Sequence, residues 1–169
     1  MRKIILNLTV SLDGYIEGPN GEYDWCFTDQ DYGMSEFLAQ TDAVFCGRKS
    51  YELLIEAGDE ILAEKNKYVF SSSLNKVYDG WILVKDVQGE TIQSILAKPG
   101  KNIWLFGGSQ LTDHFIKLGL LDEMIISIHP LLLGDGTPLF RKMKERLFMK
   151  LVDAKIYDSG LAQLTYRIP

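Results

Sequence analysis

Apolar and polar residues recur along this chain with two different periods, and stretches of each period take turns. Ile4, Leu6, Leu8 and Val10 interleave with Ile5, Asn7 and Thr9, the period-two pattern of a strand with one strongly apolar side. A polar stretch over 11–25, with glycines at 14, 18 and 21, carries no clear period. Loops of that size in a compact domain are usually functional or mobile. Met34, Phe37 and Leu38 then sit at i, i+3 and i+4 and predict a short helix. Residues 43–46 read as a short buried strand that runs into a helix opening at 47–52. Residues 67–70 and 81–84 read as two more strands, the first ending in Ser71, Ser72 and Ser73. Helical spacing over 87–98, through Ile92, Ile95 and Leu96, stops at Pro99 and Gly100.

The second half follows the same rule. Residues 102–106 form a mostly apolar strand, and the next helix places Leu111, Phe115 and Leu118 on one side, with Gly119 as its C-cap. Residues 123–128 read as a strand and 130–140 as a long loop. Phe148, Val152, Ala154 and Ile156 fall on one side of a long strand, and Asp158, Ser159 and Gly160 give a tight turn. Ala162, Leu164, Tyr166 and Ile168 then alternate with Gln163, Thr165 and Arg167, so the chain closes on an antiparallel hairpin. About eight strands and four helices in one domain over 1–169 predict an α/β fold, its sheet parallel early and antiparallel at the end.

Composition narrows the classes. Of 169 residues, 46% are hydrophobic and 24% charged, which excludes disorder and fibrous repeats. A net charge of -5 argues against a general nucleic-acid binder. Cys26 and Cys46 make no disulfide framework, and His114 and His129 lack ligand spacing, so no metal site is expected. No signal-peptide pattern is present, and no apolar run approaches the roughly eighteen residues of a membrane span. The expectation is a reduced, cytoplasmic, soluble protein.

Three strand ends carry candidate chemistry. At Phe106, Gly107, Gly108, Ser109, Gln110 and Leu111 a buried strand gives way to two glycines and a helix start. The free N–H groups there favour a phosphate, and glycine lets a ligand approach the backbone. A tight strand–helix turn is the plain alternative. At Gly47, Arg48, Lys49 and Ser50 two cations oppose the dipole of the helix they open, and a bound anion removes that conflict. A solvated basic turn would look the same. The hydroxyls of Ser71 and Ser72 suit a phosphate or ribose, or a turn cap. In α/β sheets ligands collect beyond the carboxyl ends of strands, where all three segments lie. Together they describe a phosphate-rich dinucleotide, and the basic pair suits an extra ribose phosphate. Proton donors are sought among Asp13, Asp24, Asp29 and Asp31. Asp31 equally suits a cap for the short helix, and Asp13, before Gly14, a turn. Trp25 is placed to cover a planar ring or to pack under the loop. Cys26, Cys46, His114 and His129 read as structural.

In this order the segments resemble the dihydrofolate reductase superfold. Gly47 to Glu52 is similar to its G-R-x-T-x-E segment on the NADPH phosphates. Val69 to Ser72 is similar to the strand end flanking the adenosine, and Ile103 to Gly108 to the strand and paired glycines under nicotinamide and pyrophosphate. The chain resembles more closely the reductase domain of the bifunctional riboflavin-biosynthesis deaminase-reductase. Ser11-Leu12-Asp13-Gly14 is similar to that family's opening S-L-D-G, and Leu120-Leu121-Asp122-Glu123 to its L-x-D-E strand start. Pro130 to Gly136 resembles its P-x-x-x-G-x-G loop.

The resemblance spans nearly the whole chain. It implies a three-layer fold, with a mixed sheet of about eight strands, helices on both faces and a C-terminal antiparallel hairpin. It also implies an NADPH-dependent homodimeric reductase, similar to 5-amino-6-(5-phosphoribosylamino)uracil reductase. Hydride would pass to a C=N or C=O group of a small heterocyclic or ribosyl-linked substrate. NADPH would lie on Gly47 to Ser50, Ser71, Ser72 and Phe106 to Leu111. The substrate would lie on Asn7, Tyr15 and Trp25, with residues 13–25 as a lid. Water or Asp31 would supply the proton, with Asp13 a second catalytic candidate. Two positions depart from the riboflavin enzymes: Tyr15 stands where they carry Lys, and Phe106 where they carry Glu. Pterin reduction and a non-catalytic NADP-binding module are the alternatives, and a nucleotide-free structural dimer a further one. The Leu131-Leu132-Leu133 run offers either an interface or core packing.

Overall fold

The structure, a computed structural model, describes residues 2–86, 89–141, 143 and 145–169. The first apolar run becomes β1 (Ile4–Ser11), buried along most of its length because both of its faces are covered. The following strands are β2 (Tyr15–Glu17), β3 (Thr41–Gly47), β4 (Asn66–Phe70), β5 (Trp81–Val84) and β6 (Asn102–Gly107). They are followed by β7 (Glu123–His129), β8 (Thr137–Pro138), β9 (Lys150–Ile156) and β10 (Ala162–Arg167). The helices are α1 (Met34–Ala39), α2 (Arg48–Ala57), α3 (Gly89–Leu96) and α4 (Ser109–Lys117), with a 3-10 turn at Glu60–Leu62.

Eight strands form one mixed sheet in the order β5-β4-β3-β6-β1-β7-β10-β9. Every pair from β5 to β7 is parallel, and β10 runs antiparallel to both β7 and β9. The period-two alternation sorts side chains to the two faces. Ile5, Val44 and Trp104 pack with Phe37 of α1 and with Tyr51 and Leu54 of α2. Ile4, Leu6, Phe45 and Leu105 pack with Ile92 and Ile95 of α3 and with Leu111 and Phe115 of α4. The three-layer α/β fold with a closing hairpin is therefore the one observed. Phe45 and Phe115 are fully buried with ring centroids 5.9 Å apart, and truncating either to alanine costs about 3–5 kcal/mol.

Some boundaries differ from the sequence reading. The stretch over 11–25 is not one loop: β2 lies inside it and pairs with β8 in a separate two-stranded sheet. Neither strand has enough alternating residues to show a period. The helix expected over 87–98 is described as α3, and its first two positions, Val87 and Gln88, lie outside the described residues. β7 extends to His129. The expected first strand of the closing hairpin is β9, and all seven of its residues are exposed, because it is the outermost strand and no helix among the described residues covers it. Phe148 precedes the strand. No helix among the described residues is long and apolar enough to cross a membrane.

Candidate active site

The parallel ladder brings the glycine junctions together. Cys46 of β3 pairs with Gly107 of β6, so the starts of α2 and α4 are neighbours at the carboxyl edge of the sheet. A side chain at Gly47 would meet the Gly107 carbonyl at 3.7 Å and Leu111 at 3.9 Å. Gly107 and Gly108 both take positive φ, +104° and +75°, where an L side chain is strained. Neither N-cap residue, Gly47 for α2 or Gly108 for α4, closes its helix with a side-chain hydrogen bond. Two sets of N-terminal amides thus open side by side at the strand ends, a ready site for an anion. The Ser50 hydroxyl lies 3.5 Å from the position of a Cβ on Gly108. Arg48 is exposed and bridges Glu52 one turn on at 2.9 Å, and Lys49 is exposed beside it. Ser109 and Leu111 are buried and Gln110 is exposed.

Phe70 pairs with Gly47, so Ser71 follows directly at the next strand end. Its buried hydroxyl accepts from the amides of Ser73 and Leu74 at 3.3 and 3.2 Å, closing the turn, and Ser72 stays exposed.

A second group lies on the α1 side of the same sheet. Asn7 and Thr9 alternate on one face of β1 and pair with Ile125 and Ser127 of β7. Gln163 of β10 pairs with Ser127 and donates to its hydroxyl at 3.1 Å. Phe106 shares this face, its ring tilted against Trp104 at 5.0 Å, and the Trp104 indole N–H donates to the Asn7 carbonyl at 3.0 Å. The result is a polar strip with an aromatic floor, running toward the strand ends.

Residues 25–32 pass over that strip and are tied to it. His129, fully buried, accepts the Phe27 N–H at Nε2 (2.9 Å). Nε2 is therefore unprotonated, and Nδ1 carries the proton toward the Ser127 carbonyl at 3.4 Å. Phe27 and Trp25 pack on its ring at 4.6 and 5.4 Å. Burial pushes the His129 pKa below its usual value. Gln163 donates to the carbonyl of Tyr32, which holds a positive φ of +49°. That strain persists because the Tyr32 hydroxyl also bonds Asp29 and Ser159. An open hollow of about 370 Å³ lined by Cys26, Phe27, Thr28, Asp29 and Ser159 belongs to this segment, not to the glycine junctions.

The two expected catalytic carboxylates are not brought together. Asp31 accepts the Ser35 amide at 3.0 Å and its hydroxyl at 2.6 Å, which secures the start of α1 and lowers its pKa. Asp13 accepts from the Ser11 hydroxyl at 2.6 Å and from the amides of Leu133 and Gly134, and its pKa is likewise lowered. It staples the Ser11–Gly14 turn to the 130–136 loop. Tyr15 is half-buried on β2, its amide donating to the Ser11 hydroxyl. Burial raises the Cys26 thiol to about 11 and pushes Cys46 up further, so both stay protonated. No group of His, Cys, Asp and Glu among the described residues could hold a metal ion. Thr9, Ser127, Gln163 and the anchoring role of His129 were missed. Their signal was the polar parity of β1, β7 and β10, which becomes a strip only when the strands are set side by side.

This sheet, with paired helices on each face and glycine junctions at its carboxyl edge, defines the dihydrofolate reductase-like class of α/β proteins. The RibD C-terminal domain family matches residues 2–162, and the chain belongs to that family. It is 42% identical to the uncharacterized protein YyaP of Bacillus subtilis (strain 168), across 98% of this chain and 94% of YyaP. A solved putative riboflavin biosynthesis protein from Shewanella sp. PV-4 superposes with a TM-score of 0.89 at 27% identity, over 99% of both chains. Dihydrofolate reductase from Enterococcus faecalis, solved with NADP(H), superposes with a TM-score of 0.73 at 17% identity, over 98% of this chain and 96% of that one.

Proposed function

We propose that this protein is a cytoplasmic, homodimeric NADPH-dependent reductase that passes hydride to a C=N or C=O carbon of a small heterocyclic or ribosyl-linked substrate. The observation that carries the reading is the pair of helix N-termini, uncapped and adjacent, at Gly47 and Gly107-Gly108. Membership of a reductase-domain family supports the same reaction class.

The donor set fits the cofactor. The opening amides of α2 and α4 suit a pyrophosphate, and glycines at 107 and 108 leave room for its approach. Arg48 and Lys49, with the hydroxyls of Ser71 and Ser72, suit the extra ribose phosphate. The nicotinamide, when bound, supplies the hydride; the protein supplies orientation and exclusion of water. Asn7 and the Phe106 ring form the substrate floor, with Thr9, Ser127 and Gln163 offering hydrogen bonds along it. Trp25 and Tyr15 close the sides, and the segment pinned by His129 covers the strip. Asp31 and Asp13 are ionised at neutral pH and committed to other donors, so they position the cover rather than give the proton, which water delivers. Phe106, in place of an acidic residue, favours a flat ring that stacks over one that needs a polar partner there.

The test is an NADPH titration by tryptophan fluorescence, with NADH as control and Arg48→Ala alongside. The Arg48–Glu52 pair is exposed and contributes at most about 0.5 kcal/mol to stability, so the variant stays folded. The expected result is micromolar NADPH binding, weakened about tenfold in the variant (about 1.4 kcal/mol), with NADH affinity unchanged. No binding of either nucleotide refutes the reading.

A further inference from the structure

Strand β9 ends the main sheet with no strand among the described residues on its outer edge, and all seven of its residues are exposed. The exposed residues are not mainly polar. Leu151 is 49% exposed and Ile156 76%, and Phe148, just before the strand, is 78% exposed. Folded proteins blunt such edges with short strands, bulges or cover, because an open ladder with apolar side chains recruits another strand. The opposite edge, β5, is only four residues long and buries Trp81 and Val84. The ladder to β10 shifts register between Leu151 and Asp153, so the regular stretch of β9 is Asp153–Ile156.

The order of residues on β9 indicates what pairs with it. Two copies joined edge to edge, antiparallel about a two-fold axis normal to the sheet, must place one residue opposite itself. Opposed residues then share a face. Centring on Asp153 sets carboxylate against carboxylate, and centring on Lys155 sets ammonium against ammonium. Centring on Val152 sets Leu151 against Asp153. Centring on Ala154 places Asp153 opposite Lys155 twice, with the small Ala154 pair between, all within the regular stretch of the strand. Unlike charges meet on one face, and Ala154 and the exposed Ile156 lie on the other.

We infer that a second copy of this chain covers β9, pairing antiparallel with Ala154 opposite Ala154, so that the two eight-stranded sheets continue into each other. The strand is complementary to itself, which selects a second copy over an unrelated partner. This specifies the surface of the homodimer proposed above and does not depend on the cofactor assignment.

Sedimentation equilibrium on the full chain tests it, with circular dichroism confirming that each variant folds. The wild type is expected to dimerise. Asp153→Lys faces Lys155 of the other copy with a like charge and is expected to weaken the dimer by about tenfold or more. Ile156→Asp is expected to do the same. Asp153→Lys with Lys155→Asp restores the opposite charges and is expected to recover dimerisation. A monomeric wild type overturns both this surface and the homodimer. A dimer indifferent to Asp153→Lys and Ile156→Asp overturns the surface while leaving the homodimer standing. A double variant no better than Asp153→Lys overturns the register.

Discussion

Acidification should loosen this protein through one imidazole before its carboxylates respond. His129 is fully buried, and its Nε2 must be unprotonated to accept the Phe27 N–H at 2.9 Å. Its folded-state pKa is lowered from 6.5 because burial disfavours the charged ring. The neutral form therefore belongs to the fold, and the unfolded chain binds the proton more readily. Stability from this site is fully present above about pH 6.5 and falls as the pH drops, by up to about 1.4 kcal/mol per unit, until the folded pKa is reached. The lowered carboxylates Asp13, Asp31 and Asp59 act in the same direction but only near and below their ordinary value of 3.8, so the windows separate. Urea unfolding of the wild type and of His129→Gln between about pH 7.5 and pH 5.5 measures the effect. The variant removes the titrating group and should flatten the slope. Trp25, packed on the ring, reports the local event by fluorescence. Equal slopes in the two proteins, or a wild type that gains stability on acidification, would refute the reasoning.

Three further predictions rest on other parts of the molecule. Gly136→Ala puts a Cβ 2.1 Å from the Glu17 carbonyl oxygen, a backbone clash that forces β2 and β8 apart. A loss of about 2–4 kcal/mol in chemical denaturation is expected. Gly108→Ala and Gly119→Ala both strain a positive φ (+75° and +64°) and should each cost about 1–2 kcal/mol, yet only the first should weaken NADPH binding in a fluorescence titration. Asp59→Ala strips the partner from the buried Lys67 ammonium, 2.6 Å away, and from the Trp81 indole, so a loss of about 3 kcal/mol is expected by urea unfolding at neutral pH.

Much of the architecture was legible because it depends on local rules. The alternation in β1, β6 and β10 sorts side chains to opposite faces whatever the neighbours are, and a glycine after an apolar strand marks a junction wherever it falls. The two-residue β8 and three-residue β2 were not legible, since strands that short have no period and are defined by pairing partners about 120 residues apart. The cleft was half-legible. The glycines, Arg48 and Ser71 announce themselves as motifs, whereas Thr9, Ser127 and Gln163 are ordinary polar residues until β1, β7 and β10 lie in register.

By itself, then, the sequence determined which residues form the longer strands and the helices, which faces are apolar, and where the backbone needs glycine. Those follow from periodicity and from the steric limits on φ. Only the tertiary structure decided what each carboxylate and imidazole does. Asp31 and Asp13 were as eligible for proton transfer as for capping until their donors came into place, and His129 acquired its role when Phe27, over 100 residues earlier in the chain, presented an N–H to it. The fate of the apolar residues on β9 was likewise undecided in the sequence. Whether an alternating strand is buried depends on what lies beside it, and β9 lies at the end of the sheet.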